Sequence, residues 1–320
     1  MAVIAGIDEA GLGPILGPLV VSGVAFRVPD DRPDICLWEA LSATCARSTS
    51  AGKRRLVIAD SKQLHKPGHG VSGLERPALV MQSAGFGPVG RFRELLGRVA
   101  PHMVDDLDRH SWYAGCDPVL PVSRDLGDIG TRANALRANL RDAGVELLGV
   151  FCEPLLEGPY NRLVDRTRNK ATVVMGLALR VADRILRAAG DDHVRLCADR
   201  LGGRTHYRQP LADSWPQFEL EILEETETRS AYRLVRSERV CRVEFQTEGE
   251  KKHFPVALAS IYSKYIREVC MGMFNDYWCT AQEGLKPTAG YYTDAMRWLS
   301  DAEPAISRLG VMREELVRSR

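Results

Sequence analysis

The chain has 320 residues, 45% of them hydrophobic, which is enough for one large domain or two small ones. Its 43 basic and 42 acidic side chains leave a net charge of +1, a balance that neither requires nor excludes a polyanionic partner. No charged leader precedes Ala2 and no apolar stretch approaches membrane length, so a soluble, cytoplasmic protein without membrane contact is expected. The eight cysteines form no CxxC pair, and Cys152 and Cys197 lie in apolar runs, which indicates reduced, buried thiols.

The first elements along the chain are two apolar runs separated by a turn. Residues 2–8 (AVIAGID) and 19–28 (LVVSGVAFRV) predict β-strands, and the glycines and prolines between them predict a loop. The first strand therefore ends at two adjacent carboxylates, Asp8 and Glu9.

A less regular region follows over about residues 30–145. Within it, RFRELLGRV (91–99) and TRANALRANLRDA (131–143) predict amphipathic pieces, whereas HKPGHGVSG (65–73) and AGCDPVLPVS (114–123) are typical of surface loops. Residues 145–154 predict a strand. Residues 169–190 predict a helix with Asn169 as its N-cap and Gly190 at its end.

The rest of the chain alternates strands and helices. Residues 193–199 (HVRLCAD) predict a buried strand ending at Asp199, and three further runs (218–225, 232–238 and 241–248) alternate with the two-residue period of strands that have one wet face. Residues 255–274 predict a helix, and two shorter helices follow. This order indicates a mixed α/β sheet.

The glycines after Asp8-Glu9 do not match a phosphate-binding loop. A Walker loop needs a Lys-Ser or Lys-Thr pair that opens a helix, and none follows Gly17; glycines at 11, 13 and 17 also miss the GxGxxG spacing. Two carboxylates would repel a phosphate unless a cation lay between them, and hard oxygen ligands suit Mg²⁺ or Mn²⁺. Asp199 at a second strand end and Glu250 after the last alternating strand are candidates for the same site.

Each of these signals has a simpler interpretation when it is taken alone. An acidic pair at a strand end is more often a solvated turn, a lone strand-end Asp such as Asp199 is usually a cap, and Glu250 beside two lysines resembles an exposed charge cluster. Among the other residues, Lys62 suits a solvated loop as well as a contact to backbone phosphate. Lys264 and Arg267, on the helix predicted from Pro255, suit surface positions. The histidines show no zinc-binding spacing.

Five segments in order nevertheless resemble the type 2 ribonuclease H family (ribonuclease HII and HIII). GIDEAGLGPILGPLVVSG (6–23) resembles its opening Asp-Glu motif with a Gly-Arg/Lys-Gly turn, and ADSKQL (59–64) its Asp-Ser-Lys-x-Leu element. LCAD (196–199) is similar to the strand of its third carboxylate, VALASIYSKYIRE (256–268) to its Ala-Ser-Ile-x-x-Lys helix, and AGYYT (289–293) to its Gly-Tyr-x-Thr turn.

The resemblance implies a single ribonuclease H-like domain over residues 1–320, with a mixed five-stranded sheet, flanking helices and two insertions at about 65–145 and 203–248. It implies an endonuclease of DNA replication or repair that cleaves the RNA strand of RNA–DNA hybrids, or ribonucleotides embedded in DNA, and leaves 5′-phosphate ends. No obligate protein partner is evident. Catalysis would use two Mg²⁺ or Mn²⁺ ions, about 4 Å apart in such sites, held by Asp8, Glu9, Asp199 and Glu250. The nucleic acid would contact Gly11, Leu12, Gly13, Ser61, Lys62, Ser260, Lys264 and Tyr291.

This chain departs from the family pattern at two of these positions. Leu12 replaces the basic residue of the turn, so a charged contact to phosphate is lost, and Glu250 stands where an Asp is usual, with one more methylene. Two rival functions stay open: a non-catalytic protein that binds hybrids or DNA on the same fold, and a ribonuclease H-fold nuclease with another substrate.

Overall fold

The structure is a computed structural model that describes residues 1–48, 50, 55–65, 70–123, 127–201 and 204–319. Over these residues the strands are β1 (Ala2–Ala10), β2 (Leu19–Val28), β3 (Cys45–Ala46), β4 (Leu56–Val57), β5 (Glu146–Leu155), β6 (His193–Asp199), β7 (Glu219–Glu225), β8 (Arg229–Arg236) and β9 (Arg239–Gln246). The helices are α1 (Leu37–Ala40), α2 (Ser61–Leu64), α3 (Ser72–Phe86), α4 (Phe92–Val99), α5 (Pro101–Leu107), α6 (Ile129–Asp142), α7 (Glu157–Thr167), α8 (Lys170–Ala189), α9 (Arg208–Ser214), α10 (Gly249–Lys252), α11 (Phe254–Ala281), α12 (Tyr292–Leu309) and α13 (Arg313–Leu316).

The predicted mixed α/β class is confirmed, but the main sheet has seven strands and not five, in the order β5-β2-β1-β6-β9-β8-β7. The two additional strands, β7 and β8, form an antiparallel hairpin beside β9. They come from the segment 203–248, whose alternating pattern did predict strands. That segment therefore widens the sheet on one side.

Strand direction determines which chain ends meet. β1 is antiparallel to β2 but parallel to β6, and β6 is parallel to β9. In this register Ile7 lies opposite Ala198, and Asp199 lies opposite Gln246. Because parallel strands end at the same edge of a sheet, the carboxyl ends of β1, β6 and β9 come together.

The sheet lies between two helical layers. Along β1 the side chains of Val3, Ala5 and Ile7 contribute to one apolar core, which contains the buried face of α8, while Ala2 and Ile4 contribute to the other, which contains α11. Such alternation is the two-residue period of a strand buried on both faces.

Local sequence signals explain the two central helices. Asn169 caps α8, since its side-chain oxygen accepts hydrogen bonds from the N–H groups of Ala171 and Thr172, and Gly190 ends the helix. α11 approaches β1 so closely that a Cβ on Gly6 would lie 2.2 Å from the backbone nitrogen of Val256. Glycine at this position therefore allows the helix to reach the strand that carries the acidic pair.

The region 65–145 contains more regular structure than its sequence predicts. The predicted amphipathic pieces are confirmed as α4 and α6, but α3 begins at Ser72, inside the predicted loop 65–73, of which residues 66–69 lie outside the described residues. α3 is buried against α11, where Tyr262 Oη donates to Ala78 O over 2.7 Å. The region is thus partly core, not only surface.

Cys152 and Cys197 are buried as predicted, and burial raises the pKa of both thiols to about 12. Among the described residues, no helix has the length and apolar character needed to cross a membrane.

Candidate active site

An open cavity of about 330 Å³ lies at the edge where β1, β6 and β9 end. All twelve site residues predicted from the sequence line it: Asp8, Glu9, Gly11, Leu12, Gly13, Ser61, Lys62, Asp199, Glu250, Ser260, Lys264 and Tyr291. Four further residues also line the cavity, namely Ala10, Asp60, Arg267 and Glu268. The chain thus brings together side chains that are as far apart in sequence as Asp8 and Tyr291.

Asp8, near the end of β1, is buried, with 7% of its surface exposed. Burial raises its pKa well above the ordinary value, the charge of Glu9 raises it further, and hydrogen bonding by Ser260 acts in the opposite direction. The backbone at this residue is fixed by α11, because Ser263 Oγ donates to Asp8 O over 3.0 Å. The helix that resembles the family's Ala-Ser-Ile-x-x-Lys element therefore supports the first carboxylate directly.

Glu9 and Glu250 are also carboxylates in an unfavourable environment. Burial and the charge of Asp199 raise the pKa of Glu9 to about 7, and burial followed by the charge of Asp199 raises that of Glu250. One oxygen of each, Oε2, is buried without a hydrogen-bond partner among the described residues. Buried, unpaired carboxylate oxygens that repel one another are stabilised when a cation binds between them.

Asp199 both lines the cavity and caps a turn. Its Oδ1 accepts hydrogen bonds from Arg200 N–H over 3.0 Å and from Gly249 N–H over 3.3 Å. The second bond holds α10, the short helix that carries Glu250, against the end of β6. The cap that the simpler interpretation predicts is therefore present, and it places the third and fourth carboxylates beside each other.

The turn after β1 contains one glycine that the backbone requires and one that it does not. Gly11 has φ +93°, and a Cβ there would lie 2.6 Å from Pro18 O. Gly13 has an ordinary φ, and a Cβ there would meet no atom within 4 Å. Between them, Leu12 lines the cavity but is only partly buried, with its side chain against the core that contains α8. The position that is basic in the family therefore presents an apolar group to the cavity.

Two lysines border the carboxylates. Lys62 is exposed at the start of α2, where Asp60 caps the helix by accepting its N–H over 2.9 Å, and its charge lowers the pKa of Glu9. Lys264 on α11 is half-buried, and burial lowers its pKa. Both lysines line the cavity, and Lys264 is half-buried, so it is not the solvated surface residue of the simpler interpretation.

Tyr291 and Arg267 also line the cavity. Tyr291 is 51% exposed, so its ring is not part of the core. Arg267 is 2% exposed, which excludes a surface charge, and its guanidinium carbon lies 5.9 Å from the Tyr291 ring centroid. An exposed aromatic face supported from behind by a cation is suited to packing on a sugar or a base.

Three charged residues in the cavity wall were not among the predicted site residues: Asp60, Arg267 and Glu268. Each lies within or beside a motif that the sequence did single out, since Asp60 is in ADSKQL and the other two are in YSKYIRE. The motif residues beside them were the available signal that they lie near the site. Their orientation depends on how α2 and α11 pack, which the sequence does not reveal.

The donor chemistry of the cavity fits divalent cations, with one limit. The carboxylate oxygens of Asp8, Glu9, Asp199 and Glu250 are the hard ligands that Mg²⁺ and Mn²⁺ prefer. However, within the part of the chain that the structure describes, no three or more Asp, Glu, His or Cys side chains are gathered closely enough to hold a metal ion.

Comparison with known proteins gives only distant likenesses. No protein-family profile matches the chain, and no curated protein matches it in sequence. Among solved structures it is similar to RNase HII of Archaeoglobus fulgidus in a complex with PCNA, at 15% identity and TM-score 0.47, covering 99% of this chain and 94% of that one. It is also similar to Bst-RNase HIII in complex with Mn²⁺, at 16% identity and TM-score 0.47, covering 99% of this chain and 66% of that one.

A third similar structure is ribonuclease H2 from Pyrococcus horikoshii OT3, at 14% identity and TM-score 0.45, covering 98% of this chain and 92% of that one. All three are type 2 ribonucleases H.

Proposed function

We propose that this chain is a metal-dependent endonuclease of the type 2 ribonuclease H kind, which cleaves the RNA strand of RNA–DNA hybrids or ribonucleotides embedded in DNA and leaves 5′-phosphate ends. One observation carries the proposal: carboxylates from the ends of β1 and β6 and from α10 line one cavity together with a glycine turn and two lysines. A cytoplasmic location, with roles in DNA replication or repair, belongs to the same proposal.

The four carboxylates would hold two Mg²⁺ or Mn²⁺ ions. When bound at such a site, these ions supply activation of a water for in-line attack and stabilisation of the departing 3′-oxygen. Asp8 and Glu9 would contribute from β1, Asp199 from β6 and Glu250 from α10. Burial, and after it the repulsion among these carboxylates, raises the pKa of Asp8, Glu9 and Glu250. A bound cation would relieve both effects, which would favour ion binding.

The other wall residues would bind and orient the nucleic acid. Lys62 and Lys264 supply positive charge for backbone phosphates, as point charges without directional demands. Tyr291 offers an exposed ring for a sugar. Ser61 and Ser260 supply hydroxyl groups in the cavity wall, and the turn at Gly11 and Gly13 brings backbone groups to the substrate without side chains in the way.

Leu12 favours one rival, a protein that binds hybrids without cleaving them. Leucine offers no hydrogen-bond donor at the turn. On the other hand, a binding protein gains nothing from buried, mutually repelling carboxylates beside phosphates. The acidic cluster of Asp8, Glu9, Asp199 and Glu250 is therefore the stronger observation, and it favours cleavage.

The direct test compares a duplex that contains one ribonucleotide with a long RNA–DNA hybrid, each with Mg²⁺, with Mn²⁺ and with a chelator. We expect metal-dependent cleavage of the RNA strand with 5′-phosphate products. Binding of both duplexes without cleavage under any condition would establish the binding protein. Cleavage of DNA or single-stranded RNA alone would establish a nuclease with another substrate.

A further inference from the structure

The backbone of the turn that follows β1 is held by side chains from three distant segments. Glu157 Oε1 accepts a hydrogen bond from Gly17 N–H over 2.8 Å. Arg267 Nη2 donates to Leu16 O over 3.2 Å. Arg318 Nη2 donates to two carbonyl oxygens, those of Gly11 and Pro14. Arg318 is thus the member of this group that donates a hydrogen bond to the carbonyl of Gly11, a residue of the turn that lines the cavity.

Arg318 is nearly inaccessible, with 2% of its surface exposed, and it crosses to the turn from the other end of the sequence. Its own backbone N–H donates to Ile15 O over 2.8 Å, so both main chain and side chain attach to the turn. Its guanidinium carbon also lies 5.1 Å from the centroid of the Tyr160 ring. A planar guanidinium with several donors and no acceptor suits a position surrounded by carbonyl oxygens.

The segment around Arg318 is itself anchored. Asn161 Nδ2 donates to Glu314 O over 2.7 Å and to Val317 O over 2.8 Å, while Asn161 Oδ1 accepts from Ser319 N–H over 2.6 Å. These bonds use every kind of group on the Asn161 amide. The backbone of segment 317–319 is therefore fixed to α7 by Asn161. Because its backbone is fixed, Arg318 is a rigid support for the turn.

The contact to Gly11 O determines which way the next peptide N–H points. A trans peptide is planar, so its carbonyl oxygen and the following N–H point in opposite directions. Arg318 holds the Gly11 carbonyl toward the protein interior, and the Leu12 N–H consequently points away from it. Among the described residues, none accepts a hydrogen bond from Leu12 N–H or Gly13 N–H.

We infer that Arg318 is a positioning residue that orients the Leu12 N–H into the cavity as a donor for the 2′-hydroxyl of the substrate ribose. The inference rests on the proposed function, because it assigns a task to the turn in binding a ribonucleotide. It also explains how a turn that lacks a basic side chain still distinguishes RNA from DNA, since the discriminating group is a backbone N–H.

Arg267 does not duplicate this role. Its Nη2 is committed to Leu16 O and, over 3.0 Å, to Ala289 O, which joins the far side of the turn to the segment before α12. Burial and the charge of Arg267 lower the pKa of Arg318 to about 10, whereas Glu157 raises it, so the Arg318 guanidinium stays charged at neutral pH. The two arginines therefore hold different carbonyls of one turn.

The test measures binding in an Asp199→Asn background, in which cleavage is prevented, using two duplexes that differ only in one 2′-hydroxyl: an all-DNA duplex and the same duplex with one ribonucleotide. The variants are Arg318→Ala and, as the matched control, Arg313→Ala, which changes an exposed arginine at the start of α13. Arg318→Gln keeps a donor amide but is too short to reach both carbonyls, and it replaces Arg318→Ala if the latter does not fold.

We expect the parent protein to prefer the ribonucleotide duplex, and Arg318→Ala or Arg318→Gln to reduce that preference by about five- to tenfold, the loss of one well-placed hydrogen bond. Affinity for the all-DNA duplex should stay within about twofold, which a merely structural defect would not allow. Arg313→Ala should leave both affinities unchanged.

The outcomes separate the two proposals. If the wild-type protein cleaves ribonucleotide substrates but the Arg318 variants keep the full preference, or lose affinity for both duplexes equally, the positioning role is wrong and the proposed function stands. If the parent shows no preference and the wild-type protein cleaves neither substrate, both the positioning role and the proposed function are wrong.

Discussion

Ser260 Oγ on α11 donates a hydrogen bond to Ser61 Oγ at the start of α2 over 3.0 Å, although 199 residues separate them. Both side chains are buried, so the contact is part of the packing and not a surface encounter. It brings the segment ADSKQL, with Lys62, to the wall of the cavity in which Asp8 lies. Two segments that resemble one family's motifs therefore meet in space at the acidic cluster.

The two glycines of the turn should respond differently to the same substitution. Gly11→Ala introduces a Cβ 2.6 Å from Pro18 O at a residue with φ +93°, so we expect a loss of about 1–3 kcal/mol in the free energy of unfolding. Gly13→Ala is the matched control, because its Cβ meets no atom within 4 Å and the protein should keep its stability. Urea denaturation of both variants checks this. Equal stability of the two would show that the turn is not constrained as described.

Leu12 should set the substrate preference. Without a charged group at the turn, we expect the wild-type protein to cleave long hybrids better than single embedded ribonucleotides. Leu12→Arg should raise activity on the single-ribonucleotide duplex about ten- to a hundredfold more than on the hybrid, because a charge-assisted contact to phosphate is restored. The measurement is the ratio of kcat/KM values for the two substrates.

Leu12→Met serves as the control for that ratio, since it keeps the size and the apolar character of the side chain and should leave the preference unchanged. A wild-type protein that already prefers the single ribonucleotide, with no gain from Leu12→Arg, would contradict the prediction. Another basic group, with Lys62 or Lys264 as the candidates in the cavity wall, would then supply the contact.

Glu157 should make the stability of the protein depend on pH. Burial raises its pKa from 4.5 to about 7, so between these values the native state binds more protons than the unfolded state. The free energy of unfolding must then fall as pH rises through that window. Glu157→Gln cannot ionise but still offers an oxygen to Gly17 N–H, and it should remove at most about 3 kcal/mol of this dependence.

Denaturation at about pH 5 and about pH 8 compares the wild-type protein with Glu157→Gln and with Glu238→Gln, a substitution at an exposed glutamate. The wild-type protein and the Glu238 variant should lose stability between the two conditions, and the Glu157 variant should lose less. The same slope for all of them would show that Glu157 does not carry the dependence.

Much of the fold could be predicted because its signals are local. The apolar runs at residues 2–8 and 193–199 predicted β1 and β6 with acids at their ends, and Asn169 and Gly190 marked the ends of α8. The segment of α3 was missed because Pro77 lies inside the helix and a glycine-rich stretch precedes it. The sheet is wider than predicted. The alternating pattern predicted the strands β7 and β8, but it did not predict that they extend the main sheet beside β9.

For the site, the predicted residues were those inside recognisable motifs. Arg267 could not be assigned, since a charged residue on a helix is ordinarily exposed and only the packing of α11 buries it. Arg318 gave no signal at all, because its role depends on contacts with a turn some three hundred residues earlier. Metal binding by the four carboxylates, and their use in catalysis, stay predictions.

In the proposed function, the acidic cluster performs metal-dependent cleavage. The most direct measurement is the rate of RNA-strand cleavage by Asp8→Asn beside the wild-type protein, with binding of the same hybrid measured in parallel. We predict that cleavage falls by more than about a hundredfold, because even groups that only support a metal ligand are worth ten- to a hundredfold. Binding should be unchanged or tighter, since one negative charge near the phosphates is removed. Cleavage by Asp8→Asn at the wild-type rate would show that the acidic cluster does not perform the cleavage.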